Sequence, residues 1–479
     1  MPLAHHPITP SPSLAVQPTP LELLSPFVGV LLVAFLISVV ATPLMRKLAI
    51  DHGVVDVPDL KRKNHAVPVA YLGGVAIFLG WLAGVASAML LDLPGFGGGE
   101  GGYGRIGFPL AIIFGATAIT LTGMFDDVYG IRARVKIGGQ LFAAAALASE
   151  NVSVQLTKNA LDVTRIPWRD LNEFAVPVMG EPLGEVVVYA FGTFLIAVFV
   201  IGACTAVNLI DGLDGLASGV VAIATVGFLL VTLIVASRTA DPLTAMPAYF
   251  SDPIRVVMCL AIIGAILGFL PYNFNPASIF MGDAGSLLLG FLAAATILLF
   301  SDTGGFALKI VTAMLIIFAV PITDTSLAII RRKMRGYPIT APDNQHIHHL
   351  LRRCGLSVKQ SVLVMYGAGI VFAALGVTMV GLDWAWRYIL VVFVLLYGTI
   401  MALSFKYGAY QLALEKRQRE RLAEEARLDD SAPIDQPVGS AHGNDDAEGS
   451  GDSDDSAAGL SDSGEPGGTT TRLGLESPN

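Results

Sequence analysis

Charge is what this sequence is shortest of: only 14% of its 479 residues are Asp, Glu, Lys or Arg, against about 25% in an ordinary soluble domain. That deficit excludes a conventional cytosolic globular enzyme. Cysteine is scarce too, and Cys204, Cys259 and Cys354 are widely spaced, the first two inside apolar runs. Neither a disulfide framework nor a zinc knuckle is written here. The first twenty residues hold no Lys or Arg, so the charged start of a cleaved signal peptide is missing and the first apolar run is expected in the mature fold. The net charge of −9 is local: eleven of the 39 acidic residues and one base, Arg472, lie in Asp430–Asn479. The rest is near neutral, without the basic surface that nucleic-acid binding requires.

What the chain has in quantity is apolar sequence, at 53%. A helix needs roughly 20 mostly apolar residues to cross the hydrocarbon core. Such stretches fall near 23–45, 67–91, 106–125, 137–149, 186–207, 215–237, 256–271, 284–301, 305–330, 361–382 and 388–405. The expectation is an all-α, polytopic integral membrane protein of about eleven transmembrane helices. The segment 151–185, with its alternating Val152-Ser-Val-Gln-Leu156, is expected to hold a small hairpin. The loops after spans one, three and nine carry fifteen Lys and Arg, and the loops on the other side carry eight. Odd-numbered loops are therefore expected in the cytoplasm, with the N-terminus outside and the C-terminus inside. Residues 1–20 form an extracytoplasmic segment, 21–405 the membrane domain, 406–429 a charged cytoplasmic helix, and 430–479 an acidic tail too poor in apolar residues to fold.

Five polar clusters with catalytic character all fall in odd-numbered loops. They are Asp56-Val-Pro-Asp59 with Lys61-Arg-Lys-Asn-His65 and Gly73-Gly74; Asp126-Asp127 with Lys136; Asn208-Leu-Ile-Asp211-Gly-Leu-Asp214-Gly215; Asn273-Phe-Asn275-Pro276 leading to Phe280-Met-Gly282-Asp283; and Asp343-Asn-Gln-His346-Ile-His348-His349. Each has a plainer reading. Asp126-Asp127 suits a charged interfacial cap, Asp283 a helix N-cap for span eight, and Lys61-Arg62-Lys63 a lipid-headgroup anchor. Asp211 and Asp214 are harder to set aside, because a carboxylate beside hydrocarbon is costly unless paired or functional. The three His lack a nearby thiolate for a soft-metal site. Together the clusters suit phosphoryl chemistry: carboxylates hold a hard cation such as Mg²⁺ that shares a diphosphate, and Lys, Arg and His neutralise phosphate charge. The membrane setting points to a lipid reactant.

On these motifs, residues 20 to 405 resemble the polyprenyl-phosphate N-acetylhexosamine-1-phosphate transferases of glycosyltransferase family 4. The resemblance implies transfer of a sugar 1-phosphate from a UDP-N-acetylhexosamine to undecaprenyl phosphate with release of UMP, in a bacterial cytoplasmic (inner) membrane. It implies Mg²⁺, with Mn²⁺ as a substitute, and leaves a homodimer open. By motif, Asp126, Asp127, Asp211 and His346 are the catalytic candidates, and Asp283 with Asp127 the metal ligands. Lys136, Asn208, Asp214, Asn273, Phe280, His65, His348 and His349 are the substrate-binding candidates. The His-x-His-His pattern and Arg62-Lys63-Asn64-His65 resemble the branch using UDP-N-acetylglucosamine rather than the muramyl-pentapeptide branch, which has three consecutive His. Ala70 and Asn344 depart from the family pattern without touching the carboxylates. An ion-coupled secondary transporter is the rival from another class; it would place acids near mid-span in related halves, which this sequence does not do.

Overall fold

The computed structural model describes residues 19–56, 68–94, 96, 109–149, 152–164, 168–173, 182–239, 252–303, 306–338, 346–353 and 355–430. Among them the chain is almost wholly helical. In order come α1 (Pro20–Leu24), α2 (Val28–Asp51), the antiparallel pair β1 (Val55–Asp56) and β2 (Val69–Ala70), α3 (Gly73–Leu90), α4 (Leu110–Tyr129), α5 (Ala133–Ala148), α6 (Val152–Thr164), α7 (Leu183–Ile210) and α8 (Leu216–Thr239). Then follow α9 (Asp252–Asn273), α10 (Gly282–Leu298), α11 (Ala307–Ile317), α12 (Ala319–Met334), α13 (Ile347–Arg353), α14 (Val358–Gly381) and α15 (Trp386–Asp430).

The all-α membrane fold is as expected, and each of the eleven expected spans lies on a helix, but the count is smaller. Among the described residues eight helices are long and apolar enough to cross a membrane, or nine if α11 and α12 make one bent span. The apolar part of α15 is short, at Arg387–Thr399. With 16 residues, α5 rises only about 24 Å, under the roughly 30 Å of a hydrocarbon core. The start of α5 and the α6 that follows it are nonetheless fixed at opposite ends of the bundle. Lys136, in its first turn, meets Asp283 where α10 begins, while Asn159 of the following α6 donates to the Ser301 carbonyl (3.3 Å), just past the far end of α10. Together α5 and α6 thus run from one end of α10 to the other.

The expected hairpin at 151–185 is wrong in its described part: 152–164 form α6 and 168–173 a short 3-10 turn. Five alternating residues were too short a sample, since Val152, Leu156, Ala160 and Val163 also repeat at helical spacing.

Along its whole length α10 is buried, as its run of Leu, Ala, Phe and Ile on every side requires. It packs against α3, α4, α7 and α8. Close approach at its start depends on small residues, with Gly123 of α4 against Ala284 and Gly74 of α3 against Gly285. The outer row Leu32, Leu36, Val40 and Leu44 of α2 stays exposed, a surface suited to lipid. Between α11 and α12 the axis turns by 73°. Pro321 supplies the cause, because its ring clashes with the Ile317 carbonyl and it has no N–H to continue the ladder.

The end of the bundle away from the α10 start is tied by polar bonds. Buried Arg255 pairs with Asp252, donates to the Leu299 carbonyl and lies 4.3 Å from the Phe300 ring centroid. Lys309 pairs with Asp383, and Arg238 donates to the Val380 carbonyl. The chain divides into two units, Met1–Lys416 and Arg417–Asn479. In the second, 417–430 are helical with Arg417, Arg419, Glu420 and Arg421 exposed. The expected tail beyond Asp430 and most of the expected N-terminal segment lie outside the described residues.

Candidate active site

Two helix ends bring the acids together. Gly130, at φ 65°, stops α4 and leaves Asp126 and Asp127 in its last turn. Gly282, at φ 66°, starts α10 directly opposite. Asp127 accepts the N–H groups of Asp283 (2.7 Å) and Ala284 (3.0 Å). The N-cap of α10 is thus supplied from α4 rather than by Asp283, as one reading of the sequence had it. The orphan donors and the positive end of the helix dipole hold that carboxylate. Asp283, in the first turn, instead faces Lys136 and Asn208.

Lys136 bridges Asp126 (2.6 Å) and Asp283. Asn208 donates to Asp283 (2.6 Å) and to Ser286 (2.9 Å), and Asp126 also accepts the Ile131 N–H (2.9 Å). Asp126, Asp127, Lys136, Asn208 and Asp283 therefore form one bonded group at the start of the central helix. Asp211, just past the end of α7, joins it electrostatically. Burial of its carboxyl, then the negative charges of Asp283, Asp127 and Asp214, push it up to about 8.

Other expected residues hold the loops. Asp214 accepts from Asn275 (2.8 Å) and from the Ala277 N–H (3.0 Å). Buried Asn273 accepts from the Gly215 N–H and the Ser218 hydroxyl (both 3.1 Å) and donates to the Ile279 carbonyl (3.1 Å). The third and fourth clusters are locked together by these bonds. Phe280 links to the first cluster through its main chain, to Ala70 (2.8 Å) and Gly73 (3.0 Å). Its ring centroid stands 6.1 Å from that of Tyr71, whose hydroxyl is held strongly protonated by burial and by Asp56. His65, like Lys61 to Asn64 and Asp343 to Gln345, lies outside the described residues.

His346 and His348 stack with ring centroids 5.6 Å apart, and His349 lies tilted at 46° against His348 with centroids 4.3 Å apart. The His348 ring abuts Gly212, where an added Cβ would come within 2.5 Å of Nε2. Through that contact the fifth cluster reaches the third. Burial, then the neighbouring His349, push His348 down to about 4, against the pull of Asp324. Sequence reasoning missed Asp324, which accepts from His346 Nδ1 (2.7 Å). The available signal was a carboxylate inside an apolar run.

A buried helix start ringed by carboxylates, one lysine and one amide can bind and polarise a phosphorylated ligand. Comparisons with known proteins identify the family. A family model described as Glycosyl transferase family 4 matches residues 109–301. The chain is 34% identical over 372 residues, 76% of its own length and 89% of the relative's, to the Bacillus subtilis (strain 168) protein named "Probable undecaprenyl-phosphate N-acetylglucosaminyl 1-phosphate transferase". The chain belongs to glycosyl transferase family 4. Two further relatives of this family member widen the comparison. The decaprenyl-phosphate N-acetylglucosaminephosphotransferase of Mycolicibacterium smegmatis is 32% identical, covering 70% of this chain and 77% of the relative. The undecaprenyl-phosphate alpha-N-acetylglucosaminyl 1-phosphate transferase of Salmonella typhimurium is 27% identical, covering 81% and 94%. The matched residues 109–301 contain Asp126, Asp127, Lys136, Asn208, Asp211 and Asp283, so this multi-pass protein shares with its family the stretch that builds the site.

Proposed function

We propose that the protein transfers N-acetylglucosamine 1-phosphate from UDP-N-acetylglucosamine to undecaprenyl phosphate, releasing UMP and leaving a lipid-linked sugar diphosphate that initiates a cell-envelope glycan. The observation that carries this reading is the bonded group Asp126–Lys136–Asp283–Asn208 at the start of the buried α10. Its acids sit at helix ends on one side of the bundle rather than at mid-depth, which is against ion-coupled transport. The relatives' names supply the sugar and the polyprenyl acceptor, and the His-x-His-His pattern agrees with them. On this reading the side faces the cytoplasm from a bacterial inner membrane, and the heavier loading of Lys and Arg on its loops supports that orientation.

The lipid phosphate oxygen attacks the β-phosphorus of the donor, and the bond to the bridging oxygen breaks as UMP leaves. Two anions must meet for this, so charge neutralisation comes before base strength. Lys136 supplies one positive charge between two carboxylates, and the histidine cluster lies beside Gly212 on the other side of the Asp211 loop. Asp126, Asp127 and Asp211 orient the phosphates and take up any proton. The metal fits the residues present. Asp283 and Asp127 offer hard oxygen donors, and among the described residues no three His, Cys, Asp or Glu side chains form a cage. A Mg²⁺ ion that keeps most of its shell for water and substrate phosphate suits such a site and would neutralise the diphosphate. The donors on Asp127 are main-chain N–H groups fixed by the start of α10, whereas those on Asp283 are the side chains of Lys136 and Asn208, which can turn aside, so Asp283 would be the principal ligand.

The test is UMP release by purified protein in detergent with undecaprenyl phosphate and Mg²⁺, offering UDP-N-acetylglucosamine, UDP-N-acetylgalactosamine and UDP-muramyl-pentapeptide. Lipid-dependent release from the first donor, lost in Asp283→Asn, is expected. Release only from the pentapeptide donor would overturn the choice of branch, and silence with all three would overturn the reaction.

A further inference from the structure

Asp324 lies six residues into α12 with no surface exposed. A carboxylate enclosed at that depth is costly unless both oxygens are satisfied. Both are. Oδ1 accepts the Ile347 N–H (2.8 Å) and Oδ2 faces His346 Nδ1 (2.7 Å). An acid that accepts on both oxygens leaves one assignment for the ring: Nδ1 carries the proton and donates, and Nε2 is the nitrogen left to act elsewhere. The two bonds reach adjacent residues where the chain enters α13. One carboxylate therefore sets both the rotation of the His346 ring and the position of the backbone that carries His348 and His349. His346 stacks on His348 with an interplanar angle of 5°, and His348 abuts Gly212 beside Asp211.

We infer that Asp324 is a positioning residue of the transfer site: it holds His346 in the tautomer that frees Nε2 and seats the histidine stack against the Asp211-Gly212 loop. The inference rests on the transfer reading above, in which His346 serves the phosphates. Asparagine is the informative replacement. Its single amide oxygen satisfies either the Ile347 N–H or the ring, and its NH₂ then confronts the other donor.

Two measurements on the full-length protein in detergent test this. The first is the ring ¹⁵N spectrum of histidine-labelled protein, with His346 assigned by its loss in His346→Gln. A proton on Nδ1 is expected in the wild type, with the balance moved toward Nε2 in Asp324→Asn. Wild-type His346 protonated on Nε2 alone, or unchanged by Asp324→Asn, would overturn the inference. The second is steady-state UMP release by Asp324→Asn, His346→Ala and the double variant. A fall in kcat of about 10²-fold, with KM for the donor unchanged, is expected for Asp324→Asn alone, and no further fall on a His346→Ala background. Losses that multiply would show that Asp324 acts as general scaffolding rather than through His346. A wild type that released no UMP would sink the transfer reading, and the ¹⁵N measurement would still decide the dyad.

Discussion

Lys136 is the side chain on which the acids of the site depend, because among the described residues it alone is bonded to both Asp126 and Asp283. Replacing it with Met keeps the length and apolar stem while leaving two carboxylates facing each other without their shared cation. Transfer measured as UMP release should fall about 10²-fold or more, with the requirement for divalent cation steepened. Unchanged kcat in Lys136→Met would mean that the lysine only holds the free enzyme together. His348 makes a separate prediction. Burial keeps its imidazole neutral down to about pH 4, against an ordinary value of 6.5. Between those values the unfolded chain binds a proton that the folded protein refuses, so stability is full above pH 6.5 and falls as the pH drops toward 4. The full loss from this group is about 3 kcal/mol. Thermal unfolding in detergent should show Tm falling across that window, and His348→Gln should flatten the slope.

The start of α10 is where the bundle and the site become one structure. Asp127→Ala would strip the acceptor from two buried N–H groups and should cost about 1–3 kcal/mol, whereas Asp127→Asn keeps one oxygen and should cost less. Nucleotide binding and Tm, measured side by side, separate this capping part from any role in transfer. Gly282→Ala should be more severe than either, because a Cβ there is strained at φ 66° and collides with the Asp127 carboxylate. That coupling was not legible in the sequence, since Asp127 and Ala284 are joined only by the crossing of α4 and α10. Capping rules look to the residues just before a helix, so they pointed to Asp283. Legible instead were the apolar runs and the placing of the described cluster residues at their ends, since both depend on local composition. Legibility also failed at α6, where five residues cannot separate period two from helical spacing, and at Asp324, whose partners are visible only after α12 folds back beside α13.

For the whole molecule the odd-and-even alternation of loops depends on α5, the helix too short to qualify by length. If α5 did not carry the chain from one side to the other, α4 and α7 could not both end at the site, yet Asp126 and Asn208 both bond into the group around Asp283. A helix of about 24 Å in a core of about 30 Å is accommodated by local thinning of the bilayer or by anchoring side chains. Single cysteines at Gly130 and Asp170, exposed at the two ends of the α5–α6 segment, test this crossing. Cys204 and Cys259 are buried, and Cys354 should be replaced to leave a clean background. With a membrane-impermeant maleimide on intact cells freed of any outer membrane, Asp170→Cys should be labelled and Gly130→Cys should not, until the membrane is opened. Labelling of both from one side would place α5 on the surface and dismantle the inferred orientation, whereas the reverse pattern would keep the crossing and invert the protein. Removing 431–479 should leave UMP release and this labelling pattern unchanged, because every described bond that assembles the site lies before it.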